Sequence, residues 1–147
     1  ILLFTRERCC MNASPETIQV VRQWVARAEE DLVNAEHTLT MEENCPVGTV
    51  CFHAQQCAEK YLKALLTLYA VPFPKTHDLP ELLTKVLQHS GIDLQPSDVS
   101  GINRYAVEGR YPGDWEPITR AEAEEAVAKA RIVRERIRAH LPSEALP

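Results

Sequence analysis

From Ile18 to Leu39 the apolar residues fall alternately three and four positions apart: Ile18, Val21, Val25, Ala28, Leu32, Ala35 and Leu39. That spacing lines them along one side of a helix, whereas one face of a strand recurs every second residue. Sustained over this many turns, it is the seam of helix packed against helix. A second run repeats it through Val47, Val50, Ala54, Cys57, Tyr61, Ala64 and Leu68, and another stripe, Cys51, Ala58, Leu62, Leu65 and Tyr69, lies beside it. Two stripes make a wide apolar arc, which predicts that this second helix is the central one. Its opposite side carries His53, Gln56, Glu59, Lys60 and Lys63. Phe52 and Leu66 project near that polar side, and apolar side chains there predict a partner surface. On the first helix, Arg22, Arg27, Glu29, Glu30, Asp31 and Glu36 read as a solvated surface.

Start and stop signals divide the rest of the chain. Ser14 is a good N-cap, and Pro15 then takes the first helical position, where its missing N–H costs nothing. Pro72 and Pro74 keep the stretch Val71–His77 out of a helix. Asp78 with Glu81 has capping-box form and opens a third helix through Leu79, Leu82, Leu83, Val86 and Leu87, with Gly91 expected to close it. A short fourth helix is expected over about Ser97 to Ala106. The segment Glu108–Thr119 holds two Gly and two Pro together with Arg110, Tyr111 and Trp115. An arginine- and aromatic-rich loop of this kind is either anchored to the body or used for recognition. Thr119 and Glu122 form the capping box of a fifth helix with apolar positions Ala123, Val127, Ala130, Val133, Ile137 and Leu141. Acids fill its first turn, and Arg131, Arg134, Arg136 and Arg138 its second half. That polarity suits the helix dipole and gives the arginines a structural role rather than a nucleic-acid-binding one.

The expected fold is therefore all-α: an up-and-down, mostly antiparallel bundle of about five helices. It spans residues 14–141, with residues 1–13 and 142–147 as tails. Five glycines in 147 residues are few for a sandwich or barrel of tight turns, and 45% hydrophobic residues fill one core. A net charge of -5 gives no bulk attraction to nucleic acid or anionic lipid. No apolar run approaches the roughly 20 residues of a membrane span. The ten residues before Met11 lack the order of regions of a signal peptide, and Met11 is the expected natural start. Cys9, Cys10, Cys45, Cys51 and Cys57 are odd in number and contain no Cys-x-x-Cys pair. They fit a reducing cytoplasm without a disulfide framework.

Three blocks carry a family resemblance. The first is the helix Trp24 to Ala35 with Ala28-x-x-Asp31-Leu32-x-x-Ala35. The second runs Phe52-His53-Ala54-Gln55-Gln56-Cys57-Ala58-Glu59-Lys60 and on to Lys63-Ala64-Leu65. The third is Lys75-Thr76-His77-Asp78-Leu79 with the later Arg110-Tyr111-Pro112. Together they resemble HEPN domains, over roughly Glu16 to Leu141. The resemblance implies a helical bundle that is usually dimeric. Many prokaryotic members are encoded beside a minimal nucleotidyltransferase and form a complex with it. Others are metal-independent RNases that use Arg followed a few residues later by His, paired across a dimer.

That nuclease pattern is incomplete here. Arg104 would be its arginine and Tyr111 its tyrosine, but the histidine position is Gly109. Without the imidazole, attack by a 2′-hydroxyl lacks its evident acid/base group. A literal match from Arg134 to His140 lies in an arginine-dense helix whose two members point different ways. His53 and Cys57, four apart, could chelate a metal but have no third ligand nearby in sequence, and no cofactor is expected. There is no glycine-rich phosphate loop. A nucleotide or other anion would have to be held by side chains, and Gln56, Lys60, Lys63, Lys75, His77, Arg104, Arg110 and Tyr111 are the candidates. The plain alternative is local pairing: Glu59 with Lys63, Arg110 with Glu108 or Asp114, and Tyr111-Pro112 pinning its loop. The expected arrangement folds Arg110-Tyr111-Pro112 back over the second helix toward Lys60 and Lys63, with Glu59 as the single internal counter-charge. Three functions are left open: a module partnering a nucleotidyltransferase in a toxin–antitoxin-like pair, a dimeric RNase toxin, and a stand-alone nucleotide-sensing adaptor. A homodimer is expected, from Phe52 and Leu66 on the polar face and from the family resemblance.

Overall fold

The computed structural model describes residues 13–106 and 117–147. In chain order these form α1 (Pro15–Leu39), α2 (Val47–Leu68), α3 (Leu79–His89), the single turn α4 (Ser97–Ser100), a 3₁₀ turn at Asn103–Ala106, α5 (Arg120–Arg138) and a last 3₁₀ turn at Ser143–Ala145. No strand occurs among the described residues, so the chain is an all-α bundle.

The helix starts follow from local chemistry. Ser14 is the N-cap of α1, its hydroxyl accepting from the Thr17 backbone N–H, and Pro15 follows it. Asp78 caps α3 by accepting from the Glu81 N–H. Thr119 and Glu122 form a reciprocal capping box at the start of α5. The C-terminal ends match the expectation less closely. The third helix stops at His89, with Ser90 in extended geometry and its hydroxyl accepting from the Ile92 N–H, so Gly91 is not the closing residue. The expected fourth helix divides into α4 and the 3₁₀ turn. Residues 142–147, expected as a tail, pack instead: Pro142 and Ala145 are buried and Arg22 hydrogen-bonds the Glu144 carbonyl.

The core sits around α2, which packs along most of α1 and against α5, with α3 and the Asn103–Ala106 turn closing another side. The anticipated seams are buried: Val21, Val25, Ala28, Leu32 and Ala35 from α1, both stripes of α2 from Val50 to Leu68, and Ala123, Val127, Ala130, Val133 and Ile137 from α5. Because α2 is surrounded, its polar side is only partly solvated: Gln55, Glu59 and Lys63 are buried beside the apolar residues, while His53, Gln56 and Lys60 keep some exposure. Leu66 is fully buried as well, so only Phe52 of the expected apolar pair reaches the surface.

Candidate functional site

Two buried carboxylates organise the polar side of α2. Asp31 comes from α1 and is 7% exposed; Glu59, on α2 itself, is 3% exposed. Asp31 accepts from Nδ1 of His53 at 2.7 Å and, through its other oxygen, from the Lys60 ammonium. Glu59 accepts from Lys63 Nζ at 2.8 Å, from His77 Nδ1 at 2.9 Å and from Gln56 Nε2 at 3.1 Å. Gln55 donates to the His77 carbonyl at 3.0 Å and accepts from Gln56 at 2.7 Å. No buried side-chain nitrogen or oxygen among the described residues lacks a partner. A buried charge is tolerated only when paired and hydrogen-bonded, and here each acid binds one lysine and one histidine.

The site reaches the connector between α2 and α3, which two prolines keep extended. Phe73 meets Trp24 edge-to-face with ring centroids 6.3 Å apart. Lys63 Nζ lies 5.6 Å from the Trp24 centroid and 5.8 Å from that of Phe73. The lysine is thus held by an acid and by the faces of two aromatic rings. His77 marks the open end of the site: its side chain is 58% exposed, against 24% for His53.

Of the anion-binding candidates, Gln56, Lys60, Lys63 and His77 come together in this network. Lys75 is exposed on the connector. Arg104 lies apart: it bonds Glu122 at 2.8 Å and stacks on Tyr105, 4.8 Å from the ring centroid. The Thr119 backbone N–H, more than Arg104, holds the Glu122 carboxyl below the usual range. Arg110 and Tyr111, and with them the proposed fold-back of their loop, lie outside the described residues, as does Gly109. One premise is overturned: Glu59 is not the single counter-charge, because Asp31, read as solvated, is buried and supplies a second. A sequence signal for this existed. Asp31 falls three residues after Ala28 and four before Ala35, the spacing of the core seam itself. Gln55 likewise falls four after Cys51 and three before Ala58.

Four arginines of α5 have acidic partners outside that helix. Arg134 and Arg138 pair with Glu29, Arg131 with Glu36 and Arg136 with Asp93. Tyr61 donates its hydroxyl to Glu29. Burial works against the Glu29 carboxylate, yet hydrogen bonds from Arg134 and Tyr61 outweigh it and hold the carboxyl below its usual range. Burial, reinforced by Glu29, pushes the Tyr61 phenol up. Burial pushes His140 down, favouring the neutral ring. The sequence match Arg134…His140 therefore joins an arginine already held by a carboxylate to an imidazole in a different setting. No group of three or more metal-ligating side chains exists among the described residues.

The family described as HEPN domain matches residues 21–140. The crystal structure of TT1696 from Thermus thermophilus is similar to this chain, with a TM-score of 0.67 and 27% identity over 82% of this chain and 98% of that one. No curated protein sequence matches.

Proposed function

Because the chain belongs to the HEPN family, we propose that it is a binding module, the partner subunit of a minimal nucleotidyltransferase in a toxin–antitoxin-like pair, and not an enzyme in its own right. The observation that carries this is the fate of Arg104. The arginine at the nuclease position, Arg104, is bonded to Glu122 and stacked on Tyr105, and the histidine position holds Gly109. In-line attack by a 2′-hydroxyl needs an acid/base group at that place. A binding role needs none. It uses the paired α2 strip with Lys75 and His77 at its open edge, where lysine and imidazole suit the phosphates of a nucleotide. The module is proposed to be a homodimer, with half-exposed Phe52 at the contact, and to work in the cytoplasm, where Cys45, Cys51 and Cys57 remain the free thiols seen here.

Co-expression with a small nucleotidyltransferase encoded beside its gene, with a tag on one protein, tests the reading. The expected result is a complex of fixed stoichiometry and no cleavage of RNA by the isolated chain in EDTA. Metal-free cleavage lost on His140→Ala would replace this reading with the RNase one.

A further inference from the structure

The chain enters α3 through His77, Asp78 and Leu79, and side chains from three places hold its backbone there. Gln55, fully buried in α2, donates to the His77 carbonyl at 3.0 Å and is itself held by Gln56 at 2.7 Å. The Thr76 hydroxyl accepts from the Asp78 N–H at 3.1 Å. The Leu79 N–H donates to Oδ1 of Asn103, in the 3₁₀ turn after α4, at 2.8 Å. The first N–H groups of any helix have no partner inside it. In α3, Leu79 uses Asn103, Pro80 has no N–H, and Glu81 uses the Asp78 side chain. Of these bonds, those from Gln55 and Asn103 come from afar, joining segments 22 and 24 residues apart. Asn103 is itself seated in the core by its neighbours Ile102 and Tyr105, both buried.

We propose that Gln55 and Asn103 are positioning residues for the open edge of the site: neither meets a ligand, and together they set where Lys75 and His77 stand. Gln55 holds the His77 carbonyl while Glu59 holds its ring through Nδ1, which leaves Nε2 as the ring atom a ligand can reach. Asn103 holds the residue two places on. At the other end of the connector Phe73 packs edge-to-face on Trp24, so Lys75 lies between two anchored points. A ligand that meets an edge already in place spends no affinity on ordering it. Removing either side chain leaves a backbone group unpaired beside the core, and the segment must move to find water or another partner. That the ligand is the phosphate of a nucleotide rests on the functional reading above; the two-sided hold on the backbone does not.

Gln55 acts as a donor and Asn103 as an acceptor, and the variants follow from that. Gln55→Met keeps the length without the donor, Asn103→Leu keeps the size without the acceptor, and Asn103→Asp keeps the acceptor. The first two should retain the helical circular dichroism, move the NMR signals of the His77 ring and the Leu79 amide, and weaken binding of ATP, the probe, by about tenfold or more in calorimetry. Asn103→Asp should keep the parent's signals and bind within about threefold of it. A folded Asn103→Leu protein with unmoved His77 signals overturns the proposal, as does one that binds ATP like the parent, or an Asn103→Asp protein that behaves like Asn103→Leu. Should Gln55→Met fail to fold, the pair at Asn103 decides. A parent that binds no ATP, or binds it equally well as Lys75→Ala, removes the nucleotide from the functional reading, and the His77 and Leu79 signals then decide the positioning role by themselves.

Discussion

Replacing Glu59 with leucine should be among the most damaging single changes to this bundle. Glu59 is 3% exposed and receives hydrogen bonds from Lys63, His77 and Gln56. Leucine removes the acceptor and leaves Lys63, itself 7% exposed, as a buried ammonium with no counter-charge. Breaking a buried pair from one side costs about 3–5 kcal/mol, mostly through the orphaned charge. The contacts of Lys63 with Trp24 and Phe73 return part of that, so about 3 kcal/mol is expected, or roughly 10 °C in Tm for a domain of this size. Glu59→Leu/Lys63→Met removes both charges while keeping the volume and should recover at least about 1.5 kcal/mol of the loss. Urea unfolding followed by circular dichroism measures all three proteins. A single-variant loss below about 1 kcal/mol, or a double variant no more stable than the single, would refute the argument that pairing makes this burial tolerable.

Ala70 ends α2 with φ of 56°, in a Schellman arrangement where the Val71 N–H reaches the Leu66 carbonyl at 2.9 Å and its own N–H reaches Thr67 at 3.1 Å. Glycine adopts that geometry without strain, so Ala70→Gly should raise stability by about 0.5–1 kcal/mol in the same assay, and a loss would contradict the cap. The depressed Glu29 carboxyl contributes stability that is present at neutral pH and lost as pH falls from the usual carboxylate range through its folded value. Parent and Glu29→Gln should therefore differ most near pH 7 and converge in acid; parallel pH profiles would show that Glu29 contributes nothing through its charge. Burial raises the Cys51 thiol to about 11 and pushes Cys57 up further, so neither should react with a disulfide reagent at pH 8 until urea unfolds the chain. Labelling of Cys57 in the native protein, read by mass spectrometry, would mean the α2 seam opens.

The bundle was legible because its information is periodic and local. The seams at Val21–Ala35 and Val50–Leu68 and the caps at Ser14, Asp78 and Thr119 depend on neighbours within one or two turns. The site was legible in part. Gln56, Lys60, Lys63 and His77 could be grouped from their place on α2 and its connector. The local pair Glu59–Lys63 could be read as well, but the partners from other elements could not, because a charged residue on a seam and one on a surface look alike until the opposing helix is in place. Asp31 is the clearest case: an acid within an otherwise apolar repeat, it became intelligible once His53 and Lys60 from α2 were found across from it. The end of α3 shows the converse. Gly91 suited the usual closing signal, but the Ser90 hydroxyl takes the Ile92 N–H and the chain leaves in extended geometry.

The proposed role is tested most directly by weighing the protein. Light scattering on the purified chain at tens of micromolar, alone and mixed with a minimal nucleotidyltransferase from the same source, reports self-association and partner binding together. The expected result is twice the 16.6 kDa chain mass for the protein alone and a single heavier peak containing both proteins in the mixture. Two separate peaks at the masses of the unmixed proteins would contradict it.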